Sequence, residues 1–146
     1  MKVRIHENPE QQEPEAVIHC SDETDSEVQR ALSLLGQLDF KLIGKKDGAS
    51  VPVKVEDILY FDSVDKQTFM YTETDVLETP LRLYMLEGRL TNGSFFRASK
   101  NAIINISKIA LLRPDFGGRM EATLINGERL MISRQYLPLL KNKLEM

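Results

Sequence analysis

Ala122-Thr123-Leu124-Ile125-Asn126-Gly127-Glu128-Arg129-Leu130-Met131-Ile132 carries the strongest local signal in the chain. Two apolar runs flank an Asn-Gly pair, and that pair favours the type I′ turn of a two-residue hairpin. The same pattern of short strands and turn signals recurs upstream. Phe40-Lys41-Leu42-Ile43 precedes a Lys45-Lys46-Asp47-Gly48 turn, and Val51-Pro52-Val53-Lys54-Val55 resumes an alternating pattern. Ile58-Leu59-Tyr60-Phe61 and Phe69-Met70-Tyr71-Thr72 flank a hairpin tip at Asp65-Lys66-Gln67-Thr68, and Val76-Leu77-Glu78-Thr79 adds another short strand. Thr79-Pro80 reads as the cap and first turn of a helix burying Leu83, Leu86 and Leu90. Gln135 to Leu144 reads as a closing helix with Pro138 near its first turn. Short strands with small helices predict a mainly β domain.

The first forty residues read differently. Lys2-Val3-Arg4-Ile5-His6 alternates as a half-buried strand does, and Ala16-Val17-Ile18-His19-Cys20 is a second apolar run beyond a polar, proline-containing loop. Ser21 to Asp25 supplies caps and first-turn acids for a helix with apolar positions Val28, Ala31, Leu32 and Leu35, ending near Gly36. The expectation is a small β-β-α extension over residues 1–44, followed by the main domain over 45–146.

Net charge is −3, which argues against a nonspecific nucleic-acid coat, but its distribution is uneven. Residues 1–40 hold three Lys/Arg against nine Asp/Glu, whereas residues 89–146 hold ten against four. Opposite signs at the two ends point to a polyanion-binding face paired with an acidic appendage. No window approaches the roughly 18 uninterrupted apolar residues of a membrane span. The absence of a signal-like start and the single Cys20 fit a reducing cytoplasm, so a cytoplasmic protein is expected.

Catalysis finds no support. The histidines are His6 and His19, and Cys20 directly follows His19. Neighbours on a strand point to opposite faces, so this pair cannot close on one metal or act as nucleophile and base. No Gly-rich phosphate loop or hydrolase motif is present. The expectation is a non-enzyme with no metal and no cofactor.

Cations at the borders of apolar segments suggest duplex DNA as the partner. Arg97, Lys100 and Lys108 bracket a segment anchored by Ile103, Ile104, Ile106 and Ile109, and Arg134 follows an apolar strand and precedes a helix. Anchored cations have the fixed geometry that base reading needs. Arg can bridge guanine O6 and N7, and Asn can do the same for adenine. The hydroxyls of Ser99 and Ser133 are candidates to accompany them to phosphate. Asn101 and Asn105 also read as turn residues bonding their own backbone, and Asn105 with the Asn126-Gly127 pair as turns that hold the cation-bearing edges in place.

The order of these blocks resembles the LytTR DNA-binding domain family. The resemblance rests on Asp57-Ile58-Leu59-Tyr60-Phe61-Asp62, Tyr84-Met85-Leu86-Glu87-Gly88-Arg89-Leu90, Phe96-Arg97-Ala98-Ser99-Lys100-Asn101-Ala102-Ile103-Ile104-Asn105, Leu124-Ile125-Asn126-Gly127-Glu128 and Ile132-Ser133-Arg134-Gln135-Tyr136. It runs from about residue 45 to the C-terminus. It implies short antiparallel sheets whose loops enter successive major grooves and read imperfect direct repeats. By the same resemblance, Lys100 in a long loop and Arg134 before the last helix are base-contacting positions. Thr68, Gln67 or Lys66 would be a third, at a hairpin tip. Arg97 matches a backbone-contacting arginine, and Asn105 matches an asparagine closing the loop. Much of the family has His-Arg-Ser where this chain has Ser99-Lys100-Asn101, and Lys lacks the bidentate fork of Arg.

The residues before the domain are too few for a receiver fold, so the chain resembles the stand-alone regulators of the family, which are often encoded beside a small membrane protein. The acidic unit is a candidate for homodimerisation or for binding a small membrane-bound inhibitor protein, or else it extends the β core. The competing functional reading is a protein-interaction or signalling module that keeps the fold without binding DNA.

Overall fold

The computed structural model describes residues 1–36, 41–90 and 94–145. The chain divides into two compact units, Met1–Gln37 and Leu38–Met146. In the first, helix α1 spans Ser26–Gly36. Asp25 caps it, its Oδ1 accepting the Glu27 N–H at 2.8 Å. Asp22 Oδ1 accepts from the Thr24 hydroxyl at 2.7 Å and its N–H at 2.9 Å, and these bonds hold the Asp22 carboxyl below the usual aspartate range.

The two strands expected at Lys2–His6 and Ala16–Cys20 are absent, because residues 1–25 form no strand. Val3 and Ile5 are 82% and 91% exposed. A period-two pattern says which face a strand would bury, but it supplies neither a ladder partner nor a sheet to pack on. The β-β-α extension is therefore an irregular segment and one helix.

Among the described residues of the second unit there are ten strands and two short helices: β1 (Lys41–Lys46), β2 (Ala49–Lys54), β3 (Tyr60–Val64), β4 (Gln67–Tyr71), β5 (Val76–Thr79), α2 (Leu83–Arg89), β6 (Phe95–Ser99), β7 (Ala102–Asn105), β8 (Ile109–Pro114), β9 (Met120–Leu124), β10 (Arg129–Ile132) and α3 (Leu137–Lys143). Phe40, which opens the expected strand at 40–43, lies outside the described residues. A seven-stranded sheet has the order β2-β1-β5-β4-β3-β7-β6, and a three-stranded sheet the order β10-β9-β8. Their pairings are antiparallel. The mainly β expectation with small helices holds.

Alternation along the strands gives the large sheet two buried faces. On one, Leu42, Phe61, Met70, Leu77 and Ile103 cluster with Leu83, Leu86 and Leu90 from α2 and the residue that follows it. On the other, Tyr60, Phe96, Ala98 and Ile104 cluster with Met120, Ala122 and Leu124 of the small sheet and with Leu137 and Leu140 of α3. Burying a side chain such as Phe61 or Leu86 completely stabilises by about 1.5–3 kcal/mol. A one-residue slip would invert every such position, so burial on both faces fixes the register.

Local signals were less exact. A type I′ turn needs positive φ at both central residues, and Asn126 does not have it. Instead Gly127 N–H donates to Leu124 O at 2.9 Å across a type I turn, and Gly127 itself (φ 90°) forms the bulge that returns the chain. Asn126 Oδ1 accepts the Glu128 N–H at 3.1 Å, which favours this form. The I′ geometry occurs at Asp47-Gly48 (φ 52° and 79°) and at Asp65-Lys66 (φ 51° and 67°). Thr79 stays in β5, its hydroxyl accepting the Leu81 N–H at 3.3 Å, and α2 begins at Leu83 after Arg82. Among the described residues no helix is long and apolar enough to cross a membrane.

Candidate nucleic-acid interface

Two backbone hydrogen bonds bring three cation-bearing turns to one edge of the second unit. Ser63 N–H, near the end of β3, donates to Asn101 O in the β6–β7 turn at 2.8 Å. Ser133 N–H, just past β10, donates to Ala98 O of β6 at the same distance. The β3–β4 tip with Lys66 and Gln67, the turn with Lys100 and Asn101, and the junction with Arg134 therefore follow one another along that edge. Lys66, Gln67, Lys100, Asn101 and Arg134 are all exposed. Adjacent strands lie about 5 Å apart, which sets the spacing on this edge at the scale of DNA groove features.

The Lys100 turn is not a long loop. It is the two-residue connection of a hairpin, with a register shift between Arg97 and Ser99 that leaves Ala98 as a bulge. Arg97 holds this turn. Its Nε donates to Ser99 O at 2.8 Å, its Nη2 to Lys100 O at 2.6 Å, and its Nη1 pairs with Glu87 Oε1 of α2 at 3.2 Å. Its side chain is only 17% exposed. Ser99 Oγ accepts the Asn101 N–H at 3.2 Å, closing the turn from within.

Other expected site residues lie elsewhere. Thr68 is 3% exposed and sits in the ladder between Ser63 and Thr79, so its side chain is not presented at the tip. Ser133 Oγ is enclosed and has no hydrogen-bond partner among the described residues. Lys108 ends the 3-10 turn after Asn105. That is the opposite end of β7 from Lys100, about 10 Å away along the strand. The Asn126-Gly127 turn is at that far end too, with Ile125 N–H donating to Lys108 O at 2.9 Å. Asn105 is a buried tie there rather than a clamp on the cations. Its Nδ2 donates to Ile58 O at 2.9 Å, and its Oδ1 accepts from the hydroxyl and N–H of Ser107 at 2.7 and 3.1 Å.

Two contributions to the edge were missed in the sequence. One is Glu87, the counter-ion of Arg97. The other is the β8–β9 turn, residues 115–119, which lies beside Arg134. A Cβ on Gly118 would stand 3.2 Å from Arg134 Cδ and 3.4 Å from Cγ, so the arginine stem rests on glycine backbone. Gly117 and Gly118 have φ of 69° and 75°, which disfavours other residues. A Gly-Gly pair between two strand-like runs is a turn signal that would have located this element.

Electrostatics near the edge are mixed. Asp62 on β3 is half-buried, and desolvation raises its carboxyl above the usual range. At the far end of the sheet, Tyr60 donates to Glu128 Oε2 at 2.6 Å and stacks on Tyr71 with ring centroids 4.2 Å apart. Burial first, and then the Glu128 bond, push the Tyr60 hydroxyl well above the usual tyrosine range. This pair fastens the small sheet to the large one. Among the described residues no three His, Cys, Asp or Glu side chains are grouped to hold a metal ion.

Comparison with known proteins bears on family and fold. The family model described as "LytTr DNA-binding domain" matches residues 48–145. The sensory transduction protein LytT of Bacillus anthracis is 31% identical over 96 residues, which is 66% of this chain and 39% of that protein. This chain thus spans well under half the length of that relative. A protein of Staphylococcus aureus (strain NCTC 8325 / PS 47), named as an uncharacterized HTH-type transcriptional regulator, is 28% identical over 100% of this chain and 99% of its own. Among solved structures, the LytTr DNA-binding domain of a Bacillus cereus protein superposes with a TM-score of 0.70 at 24% identity, covering 73% of this chain and 97% of that one. This last likeness is one of fold.

Proposed function

This chain belongs to the LytTr DNA-binding domain family, and on that premise we propose that it is a sequence-specific DNA-binding regulator of transcription. The observation that carries the reading is the convergence of Lys66, Lys100 and Arg134 on one edge through the Ser63–Asn101 and Ser133–Ala98 hydrogen bonds. Turns fixed by a sheet hold their side chains in set positions, and base recognition depends on set positions more than on bulk charge. That accounts for a base-reading edge on a chain of net charge −3.

Arg134 reads a guanine through its two-pronged guanidinium, its stem steadied by Gly118. Lys100 contacts a base edge or phosphate as a point charge, with Asn101 beside it. Lys66 and Gln67 at the hairpin tip reach the backbone or the next groove. Arg97 is a positioning residue for the Lys100 turn, since its donors already face two carbonyls and a carboxylate. The turns enter successive major grooves and read imperfect direct repeats, so half-sites should be separated by about one helical turn, roughly 10–10.5 bp.

Selection of bound duplexes from a random pool tests this reading. The full chain should enrich a motif with two related halves at that spacing. Enrichment of no motif at low salt would overturn base reading, and early elution from heparin would then favour the protein-interaction alternative.

A further inference from the structure

Phe116 is 86% exposed, the apolar side chain of a short turn on the edge described above. The turn is closed from within. Asp115 N–H donates to Arg119 O at 3.0 Å, Arg119 N–H and Nε donate to Phe116 O at 3.3 and 3.1 Å, and Arg119 Nη2 pairs with Asp115 Oδ2 at 3.4 Å. The successive positive φ angles of Gly117 and Gly118 complete it. These bonds fix the backbone that presents a large apolar ring to water, and burying a phenyl ring is favourable.

Its neighbour indicates what buries it. Gly118 lies under the stem of Arg134, and Phe116 is two residues from Gly118, at most about 7 Å along the chain. Base pairs step by about 3.4 Å, so the backbone that carries the ring and the backbone that supports the arginine stem lie within about two steps of each other, near enough for both side chains to reach one groove. In the major groove an arginine seeks guanine, and an apolar side chain seeks the 5-methyl group of thymine.

We propose that Phe116 is a further specificity-determining residue, which contacts the 5-methyl group of a thymine within about three base pairs of the guanine read by Arg134. This rests on the DNA-reading function proposed above. The β8–β9 turn is thus a fourth reading element, placed beyond Arg134 on the same edge.

The test compares duplexes selected from a random pool by the wild-type full chain, Phe116→Ala and Arg134→Ala. Phe116 is exposed, so an unchanged thermal melt should accompany its replacement. The wild-type motif should contain a thymine near the guanine that Arg134→Ala relaxes, and Phe116→Ala should relax that thymine while keeping the guanine. Replacing this thymine with deoxyuridine, which lacks only the methyl group, should weaken the wild type about fourfold and leave Phe116→Ala unaffected. A Phe116→Ala motif identical to wild type, or equal sensitivity of both proteins to deoxyuridine, would overturn the role of Phe116 and leave DNA reading standing. Failure of the wild type to enrich any motif would overturn both.

Discussion

Replacing Arg97 separates two ways in which a cation can serve DNA binding. The Arg97 guanidinium donates to Ser99 O and Lys100 O and pairs with Glu87. A hydrogen bond from a charged group contributes about 1.5–3 kcal/mol when its acceptor cannot turn to water. The Ser99 contact is part-buried and the Lys100 contact exposed, so one counts nearly in full and the other little. The Glu87 pair, half open to solvent on the acid side, adds under about 1 kcal/mol. Arg97→Ala should therefore cost about 2–3 kcal/mol in urea unfolding. Without its strut the Lys100 turn loosens, and affinity for a selected duplex should fall while the slope of log K against log salt stays nearly constant. Arg97→Lys should behave like Arg97→Ala, because an ammonium cannot span two carbonyls in the plane of a guanidinium. Anisotropy across a salt series reads both quantities. A slope reduced by about 0.9 would identify a phosphate contact instead and refute the strut, as would full rescue by lysine.

Three further outcomes follow from the same geometry. Lys66→Gly relieves a non-glycine residue at φ 67° and should stabilise by about 0.5–1 kcal/mol in urea unfolding, while lowering the DNA salt slope by about one. Gly118→Ala places a Cβ against Arg134 Cδ at 3.2 Å with φ at 75°; it should cost about 1–2 kcal/mol of stability and weaken cognate binding more than random binding, read by melting and anisotropy together. Asp62 has a carboxyl raised by burial, so its ionised form costs stability above the usual aspartate range and the cost is relieved as pH falls through it. Asp62→Asn should raise the melting temperature at pH 7, and the gap should close in acid.

Much of the fold was legible because apolar spacing reports burial directly. Leu83, Leu86 and Leu90 marked the helix that covers one face of the sheet, and Pro138 marked the first turn of the closing helix. The alternation at Lys2–His6 misled, whereas the apolar run Ile58-Leu59-Tyr60-Phe61 led into a strand, β3. A strand becomes one by pairing, and only the second has neighbours, in β4 and β7. Strand order was beyond reach, since β1 pairs with β5 and β3 with β7 across long separations. The site was legible as residue types and obscure as geometry. Arg97 has acceptors that are mostly backbone carbonyls, which leave no mark in sequence. Thr68 and Lys108 differ from Lys66 and Lys100 in burial and in the end of the sheet they occupy, and both depend on register.

Arg134→Ala shows whether the edge reads bases. The measurement is fluorescence anisotropy of wild type and variant on a duplex selected by the wild type and on a scrambled duplex of equal composition. Arg134→Ala should lose about 1–3 kcal/mol, roughly 5- to 150-fold, on the selected duplex and change little on the scrambled one. Equal losses on the two duplexes would show that Arg134 supplies charge alone, and would contradict base reading from this edge.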